Sequence, residues 1–231
     1  MTKVHQIGKD FHTVFENVNV DLPANRLCAI LGGAESGKST LMRILAGAED
    51  PTHGSVVRYA NLSFPVGYVR GFRQQMTVRQ NIEHAARIYG AEVGEVTAFI
   101  ENVTGLGTQM DETMRRIHAR HRVTLAYALS YAIPFDTYLV DEHIALGLTE
   151  FRDICHAMFA HRAKEAGILL ATRDVKKALT YCDMAAVIFD HKIVLIDDIH
   201  EAVELFLDHE ARRGEGRSGP KPKIQPTREP A

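Results

Sequence analysis

Three runs of uniformly apolar residues, "LCAIL" at 27–31, "TYLV" at 137–140 and "ILLA" at 168–171, have the length and texture of strands buried on both faces of a sheet. Two more, "AAVIF" and "IVLI", flank Asp190, His191 and Lys192 and predict a hairpin. "FENVNVDL" at 15–22 alternates instead, placing Val18, Val20 and Leu22 on one side as an edge strand would. Further strands are predicted over 55–59 and 62–69. Between these runs the period lengthens to that of a helix over 39–46, 77–89, 92–103, 115–132, 150–166, 175–182 and 199–211. Gly47 and Gly90 are placed to close the first two, Thr77 to cap the second, and Pro134 to stop the fourth. Within 115–132, Leu125, Ala128, Leu129 and Ala132 form an apolar stripe that belongs in a core.

Strands and helices alternate through much of the chain, which predicts an α/β fold with a partly parallel sheet. The helices of about 77–133 have no central strand among them and predict a helical subdomain. The compact domain is expected to span 1–211. Residues 212–231 hold four of the eight prolines, six basic and two acidic residues, the composition of a disordered, basic, Pro-rich tail.

Composition narrows this picture only in places. With 231 residues, 45% apolar and 24% charged, there is ample material for one core. A net charge of -2 gives no reason to expect a nucleic-acid partner. Cys28, Cys155 and Cys182 are scattered and odd in number, as reduced intracellular thiols are. The stretch at 123–135 is far shorter than the roughly 20 residues a membrane helix needs. The expectation is a soluble, cytoplasmic chain; if it acts at a membrane, another chain spans it.

The chemistry is concentrated in "LGGAESGKSTLMRILAG" at 31–47. Gly32, Gly37, Lys38 and Ser39 satisfy G-x-x-x-x-G-K-[ST] between a buried strand and a helix start. A loop there turns several backbone N–H groups onto one anion at the positive end of the helix dipole. Gly32, Gly33 and Gly37 permit the tight path, and the run Gly32, Gly33, Ala34, Glu35, Ser36, Gly37, Lys38, Ser39 and Thr40 is the candidate phosphate cradle. Lys38 is the candidate for the β- and γ-phosphates and Ser39 for Mg²⁺. The loop alone leaves kinases, GTPases and transport ATPases open. About 100 residues on, "TYLVDE" ends a buried strand in Asp141 and Glu142, where open α/β sheets bind ligands. Asp141 is the second candidate for Mg²⁺, and Glu142 the general base that polarises water.

These blocks, with "FPVGYVRGFRQQMTVRQNIEHAARIYG" at 64–90 and "FDTYLVDE" at 135–142, carry a more specific resemblance. The chain resembles the nucleotide-binding subunits of ABC transporters, and among them the ATPase subunits of Gram-negative capsular-polysaccharide exporters, along nearly its whole length to about residue 207. The resemblance implies a P-loop NTPase core that binds ATP and Mg²⁺. It implies a head-to-tail dimer with a second ATPase subunit and a separate membrane permease, docked near 70–81. The chain would then sit on the inner face of the bacterial inner membrane. It places Phe11, with His12 beside it, against the adenine.

The same resemblance exposes four departures. The Ser-Gly signature before the long helix falls on Ala119 and Arg120, within "HARHR" at 118–122. The histidine after "ILLA" is Arg173. The Gly-Asp after "YLVDE" is Gly147-Leu148. The γ-phosphate-sensing glutamine falls at Arg73, and a one-residue slip restores it at Gln74. Arg120 and Arg173 both bring cations to where γ-phosphate charge would be read. Either they replace the missing donors, with Arg173 joining Lys38 and Glu142 in the catalytic set, or the chain is a weakly hydrolysing, regulatory half of a heterodimer. His118 and His121 lie one helical turn apart, without an evident third metal ligand.

Overall fold

The computed structural model describes residues 1–141 and 152–214. Its centre is a five-stranded sheet in the order β4-β5-β3-β6-β7. β3 (Leu27–Leu31), β4 (Thr137–Asp141), β5 (Gly167–Thr172) and β6 (Met184–Phe189) run parallel, and β7 (Lys192–Ile196) returns antiparallel to β6. These are the uniformly apolar runs, and alternate residues of each enter different layers. Cys28 and Ile30 of β3 pack with Leu41, Met42 and Ile44 of α1 (Lys38–Leu45). Ala29 and Leu31 face a larger core. That core is built from α2 (Val78–Ile88), α3 (Val93–Thr104), α4 (Ala119–Ala132), α5 (Arg152–Arg162), α6 (Val175–Tyr181) and α7 (Ile199–Gly214). The fold is therefore α/β with a mixed, largely parallel sheet, as the sequence predicts, and no strand interrupts α2 to α4.

Local signals hold where the sequence carries a cap or a stop. Thr77 caps α2 and Gln80 answers its backbone N–H, a full capping box. α4 begins at Ala119, later than the periodicity suggests. Residues 114–116 form a separate 3₁₀ turn, and the His118 side chain accepts from Arg120 N as the cap. α7 continues to Gly214, three residues into the segment expected to be disordered; the rest of that tail lies outside the described residues.

The strand expectations at 15–22, 55–59 and 62–69 are corrected. Asn17 adopts φ 46, which takes the chain out of extended geometry, and the following residues form no ladder. Val18 is buried and Val20 and Leu22 half-buried, so the alternation records packing without pairing. Residues 55–59 are likewise unpaired. The two segments flank a cleft of about 620 Å³ beside the C-terminal half of α1. In 62–69, Ser63 N and Val66 N donate to Thr137 O and Leu139 O of β4. Pro65 then lacks a donor and Gly67 turns at φ 78, so the segment fringes β4 without becoming a strand. The strands that do form near the N-terminus, β1 (Lys3–Ile7) and β2 (Asp10–Phe15), pair antiparallel across Gly8 and Lys9, with Gly8 at φ 66. Their polar composition hid them, although a two-residue turn opening on glycine is a hairpin signal.

All three cysteines are buried. Burial pushes the Cys28 and Cys182 thiols up to about 12 and Cys155 to about 11. None reacts with a maleimide near neutral pH in the folded protein, and all three react in denaturant; fast labelling of a native thiol would contradict this packing. Gly167→Ala is expected to cost about 1–3 kcal/mol in urea unfolding, because its Cβ would stand 2.1 Å from the Ala24 carbonyl oxygen.

Candidate nucleotide site

Parallel strands deliver their carboxyl ends to one edge, and here that edge collects residues distant in sequence. β3 ends at Leu31, and the loop 32–37 carries the chain into α1. Gly37 adopts φ 99, and a Cβ there would lie 2.5 Å from Val14 Cγ1 and 2.9 Å from Phe15 Cζ. Only glycine meets both demands. Glu35 also sits in the left-handed region at φ 62, a strained geometry for a residue with a Cβ, and its side chain and Ala34 are exposed. Lys38 Nζ folds back to donate to Gly32 O at 2.6 Å and Gly33 O at 2.7 Å. The Ser36 hydroxyl is buried inside the loop without a hydrogen-bond partner.

β4 is separated from β3 by β5, yet its last residue reaches the loop: Ser39 Oγ donates to Asp141 Oδ2 at 3.4 Å. A hydroxyl and a carboxylate converging beside a phosphate loop are the donor set for Mg²⁺. The orphaned Ser36 hydroxyl, the left-handed turns and this pair fit a phosphate chain with its magnesium ion. Arg173 follows directly on β5, the strand between β3 and β4, so the topology sets it at the same edge with its side chain exposed. Asp174 caps α6 by accepting from Lys176 N and Lys177 N and fixes the turn that holds Arg173.

Other sequence candidates fall elsewhere. The Thr40 hydroxyl faces away from the cradle, toward His5 Nε2 at 3.4 Å and Arg43 Nη2 at 3.2 Å. Gln74 Oε1 accepts from Arg122 Nη1 at 3.5 Å and its carbonyl from Arg115 N, so it is tied to the start of α4. Arg73 is held by its backbone to the Asn81 side chain. Phe11 is 74% exposed on β2, four residues from Phe15, which packs against Gly37. Glu142, Gly147 and Leu148 lie outside the described residues. Around α4, burial, then Arg120 and His118, lower the pKa of His121; among the described residues no group of three potential metal ligands occurs. Sequence reading missed Glu210 of α7, whose carboxylate lies against Gly33, and Glu49, which pairs with the Arg43 that also bonds Thr40; neither falls in a local pattern.

A phosphate loop with its lysine and serine, a strand-end aspartate facing them and a parallel sheet define a P-loop nucleotide-binding protein. The sequence model of the family described as ABC transporter matches residues 15–142. The chain is 32% identical over 84% of its length to the polysialic acid transport ATP-binding protein KpsT of Escherichia coli, covering 88% of that protein. It is 30% identical over 89% of its length to the ATP-binding protein BexA of Haemophilus influenzae, covering 98% of it. The dimeric ATP-binding cassette MJ0796, solved with ADP and Pi, superposes with a TM-score of 0.69 at 15% identity, over 86% of this chain and 96% of that one. This chain belongs to the ABC transporter family, as one of its ATPase subunits.

Gly37→Ala should weaken ATP binding at least about tenfold, since the left-handed strain and the Val14 contact are each worth on the order of 1 kcal/mol or more. Fluorescent-nucleotide titration measures it, and wild-type affinity in the variant would refute the geometric argument.

Proposed function

We propose that this chain is the ATP-hydrolysing subunit of a transporter exporting a capsular or related cell-surface polysaccharide. The observation that carries the enzymatic half is the convergence of Lys38, Ser39 and Asp141 at one sheet edge. The cargo class is supported by the relatives, which include the capsule polysaccharide export ATP-binding protein CtrD of Neisseria meningitidis, 31% identical over 89% of this chain.

In this reading the N–H groups of the loop and of the first turn of α1 hold the phosphates. Lys38 exchanges its hold on two loop carbonyls for the β- and γ-phosphates. Ser39 and Asp141 would hold Mg²⁺, which when bound neutralises phosphate charge. Glu142, next along the chain from Asp141, takes the proton of the attacking water. Arg173 supplies a cation from the end of β5, and Arg120, exposed on the first turn of α4, supplies another across a dimer. Arginine has no proton to exchange near neutral pH, so both act by charge alone. Phe11 stacks on the adenine, and the segment 70–81, whose Gln74 is held by Arg122 at the start of α4, docks a membrane permease. Among the described residues no helix is long and apolar enough to cross a membrane, which suits a peripheral subunit on the inner face of the inner membrane. The domain would run over 1–211 with a basic tail after it.

Glu142→Gln and Lys38→Ala should each lower ATP turnover about 10²–10⁴-fold, measured by phosphate release with and without the permease. Arg173→Ala should lower turnover by at least about tenfold through loss of charge stabilisation; unchanged turnover would remove Arg173 from the site. Wild-type turnover no greater than that of Glu142→Gln, alongside tight ATP binding, would favour the weakly hydrolysing heterodimer partner instead.

A further inference from the structure

The loop after α1 carries a charged cluster that none of the motifs predicts. Glu49 Oε1 accepts from Lys3 Nζ at 2.8 Å and lies 3.5 Å from His5 Nε2, both on β1. Its other oxygen accepts from Arg43 Nε of α1 at 2.8 Å. Thr40, on the first turn of α1, receives Arg43 Nη2 and approaches His5 Nε2 on the same side. One carboxylate therefore ties a strand to the helix whose other end begins with Lys38. The Glu49 side chain is 18% exposed and the Lys3 side chain 12%, while Arg43 is 46% exposed, so the Glu49–Lys3 pair is half-buried with Arg43 at its solvent edge. Burial acts to raise the Glu49 pKa, but the hydrogen bonds from Lys3 and Arg43 outweigh it and hold the carboxyl below its usual range.

What the tie positions follows from the register. β1 is stitched to residues 50–53 at its base: Val4 N donates to Thr52 Oγ1, Thr52 Oγ1 to Val4 O, and Thr2 and His53 exchange backbone bonds. Those bonds stop at Val4. Beyond it the hairpin continues with His5 paired to His12 and Gln6 to Phe11, and in this stretch the contacts of His5 with Thr40 and Glu49 link the hairpin to α1. A register shift at Val14 interrupts the ladder between Phe11 and Phe15, so Val14 and Phe15 pack on Gly37 while Phe11 lies in the outer part of the hairpin, paired with Gln6. A two-stranded hairpin is marginal without such support.

We propose that Glu49 is a positioning residue that locks the β1–β2 hairpin onto α1 and so fixes Phe11 at a set distance from the phosphate loop. This rests on the reading of Phe11 as the adenine contact. Removing the carboxylate leaves the Lys3 and Arg43 cations facing one another with nothing between them, and the outer part of the hairpin, residues 5–12, separates from the helix while Val14 and Phe15 stay packed on Gly37 and the loop 32–39 keeps its own bonds.

The test uses the full chain and two probes, ATP and inorganic tripolyphosphate, with amide hydrogen exchange as a separate readout. Glu49→Ala should weaken ATP binding about tenfold, the size of one lost aromatic–base stack, leave tripolyphosphate binding unchanged, and speed exchange in residues 10–13 but not 27–31. Glu49→Asp should restore part of both effects. Unchanged exchange in the hairpin of Glu49→Ala, or equal loss for both probes, overturns the lock. Phe11→Ala reads the underlying assignment independently: if it does not change the preference for ATP over tripolyphosphate, the adenine contact is wrong, whatever Glu49 does to exchange.

Discussion

The joint between β3 and α1 is the constraint on which the rest of the site depends. Both elements are fully apolar toward the sheet, with Ile30, Leu31 and Ile44 at zero exposure, so neither can shift without opening the core. The loop 32–37 must bridge them in six residues. It does so through Gly37 in a conformation closed to other residues, against Val14 and Phe15 of the hairpin. Packing thus pre-organises the N–H groups that receive phosphate. Part of the cost is visible as left-handed strain at Glu35.

Sheet order then decides which charges meet. Because β5 lies between β3 and β4, the carboxyl edge places Arg173 between the Lys38 loop and Asp141. A strand order with β3 beside β4 would have left that residue at the margin. α4 contributes differently: its Arg122 holds Gln74, and Arg120 is exposed at its start. Cations there work against the positive end of the helix dipole, which is unfavourable in an isolated subunit and favourable only beside an anion.

The hairpin adds a third layer. Its strands are too polar and too short to be held by hydrophobic burial alone, so it is fastened by hydrogen bonds to residues 50–53 and by the half-buried carboxylate of Glu49. Stability of the sheet and placement of Phe11 are therefore separable properties, the first apolar and the second electrostatic.

Sequence alone determined the elements whose signals are local. Uniformly apolar runs gave the four parallel strands, Thr77 and Gln80 the start of α2, and the spacing of Gly32, Gly37, Lys38 and Ser39 the phosphate loop, because turn geometry, capping and strand burial are set within a few residues. Asp141 was legible for the same reason, at the end of a buried run. Tertiary structure decided what depends on partners far along the chain. Alternation at 15–22 could not say whether a neighbouring strand was available, and none pairs with it. Composition could not say that Thr40 turns toward His5, that Glu49 joins β1 to α1, or that Glu210 reaches Gly33. A hydrogen bond or ion pair costs nothing to write into a sequence, but it exists only where packing brings both groups within about 3 Å.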